Sequence, residues 1–198
     1  MRDDSFVNTV TIEMAERKLR EPDTSKTRQS IVDAADAIIA ERGLNGTSVS
    51  AVARALGMSH ANVYRHFSSR DAVLKAVADS WMRDMQTACE EAVQACETQP
   101  EKLAALVFAI RSQLKERSLN PVALDLYKFA REEMPEQARA HHAHRGALVT
   151  AILGRDEHTS VVLDALRGFT DPFLLSETSD TSTEQRVRDL TEFLCRVR

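Results

Sequence analysis

Glycine, proline, cysteine and aromatic residues are all scarce in this 198-residue chain: six Gly, five Pro, three Cys and 5% aromatic. So few chain breakers exclude a loop-rich or fibrous polypeptide, and the near absence of alternating β-branched runs argues against sheet. The cysteines form no disulfide framework. Cys89 and Cys96 fall seven residues apart on one predicted helix, about 10 Å along its axis and beyond bridging distance. With Cys195 they read as reduced thiols of a reducing compartment. No apolar run approaches the ~20 residues that cross a bilayer, and the opening MRDDSFVNTV lacks the apolar centre of a signal peptide, so the expectation is a cytoplasmic protein without a membrane partner. Also missing are a glycine-rich nucleotide loop, a zincin histidine pair and a nucleophile with a supporting base. The expectation is therefore not an enzyme, with no cofactor and no metal.

What is present is helix. Ala, Leu, Arg, Glu and Asp recur with 3.6-residue periodicity, and 43% apolar against 28% charged residues suffices for a substantial core. The fold class predicted is all-α, about nine helices. The organisation predicted is a mobile N-terminal arm over residues 1–25, a three-helix domain over 26–72 and a larger helical domain over 73–198. Net charge is −4, yet residues 26–80 carry seven Lys/Arg against five Asp/Glu, so that segment is +2 and the remainder −6.

The most informative stretch is 47–70, TSVSAVARALGMSHANVYRHFSSR. Thr47 or Ser48 can cap a short helix whose Val49, Val52, Ala53 and Leu56 share one face. Gly57 stands where a left-handed residue ends that helix, and Ser59 caps the next. Val63 and Phe67 then point inward, leaving Ser59, His60, Ala61, Asn62, Tyr64 and Arg65 outward. Such a face suits a DNA groove: Ala61 permits close approach, His60 and Asn62 can read base edges, and Tyr64 and Arg65 can hold phosphate oxygens. Arg70 follows in the first turn of another helix. Residue by residue, a plain structural role competes: the serines are caps in any helical protein, and Tyr64 could be a core-edge ring.

Taken jointly, Lys26-Thr27-Arg28, Arg42-Gly43, Thr47-Ser48-Val49, Gly57-Met58-Ser59, Val63-Tyr64-Arg65-His66-Phe67 and Arg70 resemble the tetracycline-repressor (TetR) family of bacterial regulators over about residues 26–75. The resemblance implies a helix-turn-helix DNA-binding domain followed by a helical ligand-binding and dimerisation domain. It implies phosphate contacts from Thr47, Tyr64 and Arg70, with Ser50, His60, Ala61, Asn62 and Arg65 facing the major groove. Ser48 and Ser59 complete the DNA-facing set. Ser50 and His60 stand where many members carry Arg and Lys, which bears on the operator sequence. The partners implied are double-stranded operator DNA, a small-molecule effector and a second copy of the chain.

Further along, a helix is predicted from Ser69 to Cys96 through Leu74, Val77, Trp81 and Met85, the mechanical link between the domains. Others follow from Pro100, from Pro121, over 136–153, over about 158–176 and over 183–197. The resemblance places an effector among the middle helices, where Trp81, Met85, Phe108, Tyr127, Phe129 and Met134 are candidate lining or ordinary core. His141, His142 and His144 read as a solvated helix face. Val162, Ala165 and Phe169, with Val187, Leu190 and Leu194, form apolar seams that either close the chain's own core or pack on a partner. A two-fold dimer reading paired half-sites favours the partner. Gly168 would permit close backbone approach and Pro172 would kink its helix.

Overall fold

The computed structural model describes residues 24–118, 122–172 and 180–196, all helical apart from short connections and with no strand among the described residues. Of the arm predicted over residues 1–25, residues 1–23 lie outside them, and Thr24 and Ser25 begin the first helix. The helices are α1 (Thr24–Gly46), α2 (Val49–Ala55), α3 (His60–His66), α4 (Arg70–Gln94), α5 (Gln99–Ser118), α6 (Val122–Glu133), α7 (Pro135–Leu153), α8 (Thr159–Thr170) and α9 (Asp180–Arg196).

The punctuation of the first four follows from local chemistry. Helix α1 begins at Thr24, two residues before the predicted start, and breaks at Gly43, whose φ of 77° lies outside the helical region. Ser48, Ser59 and Ser69 cap α2, α3 and α4, each accepting the N–H three residues on, from Ala51, Asn62 and Ala72. Gly57 takes φ +62°, the conformation for which L side chains are strained, and turns the chain from α2 into α3. Further on, Thr98 and Glu101 form a reciprocal capping box at the start of α5, and Gly154 ends α7 at φ +69°.

Helices α2 and α3 have seven residues each, too short to persist alone, so their stability comes from packing. Val52 and Val63 are essentially inaccessible and sit with Ile31, Ile39, Val73, Leu74 and Val77 in one core. That core does not stop at residue 72. It continues along α4 to Trp81 and takes in Leu126 and Ala130 from α6 and Met134 between α6 and α7. A second core joins Met85 and Cys89 of α4 to α5, α7, α8 and Val187 of α9. Helix α4 runs through both, and Tyr127 of α6 packs against both.

The C-terminal pattern resolves differently from the expectation. Val162, Phe169 and Val187 are buried inside the protomer's own second core, because α8 and α9 both pack on α5, so these side chains are not free to form a seam with a partner. Leu190 and Leu194 lean against the same core, while Ala165 faces out. The large apolar side chains left exposed on these helices are Val161 and Phe193. Gly168 has open space where a Cβ would stand, so no close approach explains it within the protomer. Pro172 follows the end of α8 at Thr170 and stops that helix instead of kinking it.

Candidate nucleic-acid interface and effector cavity

Helix α3 presents His60, Ala61, Tyr64 and Arg65 to solvent, with Tyr64 54% exposed. The Tyr64 hydroxyl and the Arg65 guanidinium have no hydrogen-bond or ionic partner among the described residues, so both polar ends are available to phosphate oxygens. Asn62 is half-buried and its amide nitrogen lies 3.9 Å from the Met58 sulfur, a weak bond that a base edge can replace. Ser50 is half-buried on α2. Arg54, exposed in the last turn of α2, is a further cation without a partner among the described residues, one that the sequence motif did not single out.

Two residues expected to touch phosphate do something else here. Thr47 is 2% exposed, and its hydroxyl donates to the Gly43 carbonyl at 2.9 Å. Arg70 donates from Nε to the Thr47 carbonyl at 2.6 Å and from Nη2 to the Leu44 carbonyl, with Asp71 3.5 Å from Nη1. These bonds satisfy the Thr47 carbonyl, add a second donor to the Leu44 carbonyl that already accepts from the Thr47 N–H, and pin the start of α4 to the corner where α1 breaks. Ser48 and Ser59 likewise spend their hydroxyl oxygens as caps. Arg28 supplies a third tie: its Nη1 donates to the His66 carbonyl at 2.7 Å and its guanidinium lies 4.0 Å over the Phe67 ring, holding the end of α3 against α1. The result is a rigid head that exposes one short helix.

Between the two cores lies a cavity of about 430 Å³, within the roughly 300–1,000 Å³ of small-molecule sites. Of the six predicted lining residues, Trp81, Met85 and Tyr127 border it. Phe108, Phe129 and Met134 do not: Phe108 packs on the second core beneath Arg188, and Phe129 and Met134 belong to the head's core. The apolar wall is completed by residues such as Ile110, Leu114, Leu126 and Leu163, and the opposite side carries His141, His142 and Arg145 of α7 with Arg131 and Arg167.

The three histidines therefore do not share one solvated face: His141 and His142 border the cavity, though His142 is also exposed to solvent, and His144 lies away from it. Burial, with the positive charge of Arg145, pushes the His141 pKa down to about 4, so its ring is neutral at physiological pH. His142 accepts from Arg145 Nη2 at Nδ1, and burial and the charges of Arg145, Arg131 and Arg167 lower its basicity too. His144 faces elsewhere, with Nε2 3.0 Å from Glu90 Oε1, though at an angle poor for a hydrogen bond. No grouping of His, Cys, Asp and Glu among the described residues has the geometry to hold a metal ion. Burial raises the Cys89 thiol to about 11, so it is unreactive. No described helix is long and apolar enough to cross a membrane.

Such a head, three helices with the third displayed and a fourth leading into a cavity-bearing helical body, defines a helix-turn-helix transcription regulator. Residues 31–77, which span most of the three-helix head and the start of α4, match the family described as bacterial regulatory proteins, tetR family. The fold is similar to that of solved bacterial transcriptional regulators. A bacterial regulatory protein in the tetR family from Rhodococcus is 17% identical, with a TM-score of 0.59 over 86% of this chain and 96% of that one. The ketosteroid transcriptional regulator of Mycobacterium tuberculosis is 16% identical, with a TM-score of 0.57 over 85% and 93%. The transcriptional regulator FadR of Bacillus subtilis, solved in complex with stearoyl-CoA, is 18% identical, with a TM-score of 0.56 over 82% and 96%. No curated protein matches the sequence.

Proposed function

We propose that the chain is an effector-responsive transcriptional repressor, binding a palindromic operator as a homodimer and leaving it when a small molecule fills the cavity. The observation that carries this is a shared wall: Trp81, Leu126 and Ala130 belong to the core of the DNA-binding head and also line the cavity. Occupancy therefore acts on the packing beneath α3. Trp81 adds a polar link, its indole N–H donating to Asp36 Oδ1 on α1 at 2.8 Å. An effector shifts the head only through its different affinity for the two arrangements. Regulators of this fold include one solved with an acyl-CoA, which supports a small-molecule role for this cavity.

On DNA, His60, Ala61 and Asn62 face the major groove, while Tyr64 and Arg65 hold the backbone. A +2 head on a −6 remainder has little bulk attraction for DNA, so placed contacts must supply affinity. Pairing two heads at half-sites about 34 Å apart, or a multiple of that, supplies the specificity one short helix lacks. The exposed Val161 and Phe193, with Ala165 one turn after Val161 on α8, are the apolar residues of α8 and α9 left to cover in a dimer.

Fluorescence anisotropy with DNA from upstream of the chain's own gene, titrated with salt, tests this reading. Affinity should fall steeply with salt, and Arg65→Ala should reduce the log-log slope by about 1. Binding that is indifferent to salt and to Arg65 would overturn it.

A further inference from the structure

We infer that the cavity takes an amphipathic organic monoanion, its acidic head held by Arg145 beside His141 and its apolar body lying against Trp81, Met85 and Leu114. This inference rests on the effector-responsive reading and names the chemistry of the effector.

Three observations lead to it. The first is that Arg145 is largely buried and has no carboxylate within ion-pair distance among the described residues; its one side-chain bond is to the neutral ring of His142. A guanidinium removed from water without an anion is costly, and proteins normally pair such a charge. Asp171 influences Arg145 from farther off and is itself 3.6 Å from Arg167 Nε. The second is that Nδ1 of His141 is buried without a hydrogen-bond partner in the same lining. Two adjacent side chains of α7 thus lack the partner that one acidic group would provide to both, accepting from the arginine and from the imidazole.

The third is the charge balance. Arg131, Arg145 and Arg167 line the cavity against Asp164 and Asp171, leaving one positive charge in excess. One negative charge neutralises this; a multiply phosphorylated head would overshoot it and would not fit a volume of about 430 Å³ together with an apolar body. The apolar body is required by the other wall, where Met85, Ile110, Leu114 and Leu126 are almost wholly inaccessible from outside the protein. A carboxylate on a fatty or aromatic frame satisfies both walls.

Isothermal titration calorimetry on the full chain with decanoate and 2-naphthoate, each against its neutral alcohol, tests the inference. The acids should bind saturably, one per chain, and more tightly than the alcohols. Arg145→Gln should weaken the acids by roughly 10- to 100-fold, the size of a lost charge-assisted hydrogen bond, and leave the alcohols unchanged. Arg145→Lys should restore part of the loss, and the exposed Arg131→Gln, which leaves the core untouched, should weaken the acids by a smaller factor. Far-UV circular dichroism and DNA binding establish that each variant is folded. Acids and alcohols binding alike, equal effects of the variants on both, or no acid binding below about 1 mM would overturn the inference. A wild-type chain that binds DNA but no acid removes this inference alone; one that binds acids but no DNA removes the regulatory reading instead.

Discussion

Removing the indole N–H of Trp81 tests whether the cavity wall is fastened to the DNA-binding head. Trp81 is 8% exposed and donates to Asp36 at 2.8 Å, so Trp81→Phe removes a hydrogen bond to a charged acceptor and leaves a ring in place. Such bonds contribute about 1.5–3 kcal/mol, and the half-buried Asp36, which water can reach, places this one at the lower end. The missing pyrrole portion uncovers about 40 Å² of apolar contact, worth roughly 1 kcal/mol. The sum is about 2–3 kcal/mol, or a fall in Tm of roughly 4–12 °C for a chain of this length. Chemical denaturation of Trp81→Phe, Asp36→Ala and the double variant separates the two contributions. The packing loss belongs to Trp81 alone, so the cycle should return a coupling of about 1.5 kcal/mol, the contribution of the bond. Additivity within about 0.3 kcal/mol would show that the bond does not join α4 to α1 in solution, and the polar link in the proposed mechanism would fall.

Four other outcomes follow from the same geometry. Arg70→Ala leaves the Thr47 carbonyl unsatisfied, while the Leu44 carbonyl keeps its bond from the Thr47 N–H, and should cost about 1–2 kcal/mol in urea unfolding, whereas a pure phosphate contact would leave free-protein stability unchanged and lower only the salt slope. His141 has a folded pKa depressed to about 4, so the unfolded chain binds more protons between that value and about 6.5. Its contribution is therefore present above pH 6.5 and is lost progressively as pH falls towards 4, by up to roughly 3 kcal/mol, and His141→Gln should flatten that part of the stability profile. Asn62→Ala should relax preference at one base pair while leaving the salt slope alone, as read by competition with single-substituted operators. Phe193→Asp, on a side chain 63% exposed, should shift sedimentation towards monomer with little change in monomer helicity.

The head was the most legible part of the chain because its function and its fold use local signals. Ser48, Gly57, Ser59 and Ser69 act within three or four residues of themselves, so spacing alone marks the ends of α2 and α3. The roles of Thr47 and Arg70 were not legible, since their partners depend on how Gly43 breaks α1, and Arg70 reaches carbonyls 23 and 26 positions back. The same limit applies to the cavity. Periodicity marked Trp81, Met85 and Tyr127 as inward, but could not tell core from lining, and Met134 fell to the core. Val162, Phe169 and Val187 have the same apolar spacing whether they meet α5 or a second chain, and here α5 covers the first face. His141 looked like surface because polar residues usually are; only tertiary packing turns it towards the cavity, while its neighbour His142 borders the cavity and stays exposed.

The two helices shared by head and body are not equally suited to carrying a response. Helix α4 has 25 residues running through both cores, so moving one end without the other requires bending a continuous ladder of backbone hydrogen bonds. Helix α6 has 12 residues and is held at the head by side-chain packing, chiefly Leu126 and Ala130, with Met134 just beyond its end, against α1 and α4, so it can be displaced with its internal bonds intact. Its ion pair with α4, Lys75 to Glu133 at 3.2 Å, is solvent-exposed and contributes at most about 1 kcal/mol. A coupling of about 1–3 kcal/mol between effector and DNA is the usual size for such systems, comparable to repacking one or two of these contacts. If occupancy moves the head, displacement of α6 along the wall it shares with α1 is the lower-energy route, and α4 would follow as the lever that carries α3 out of register.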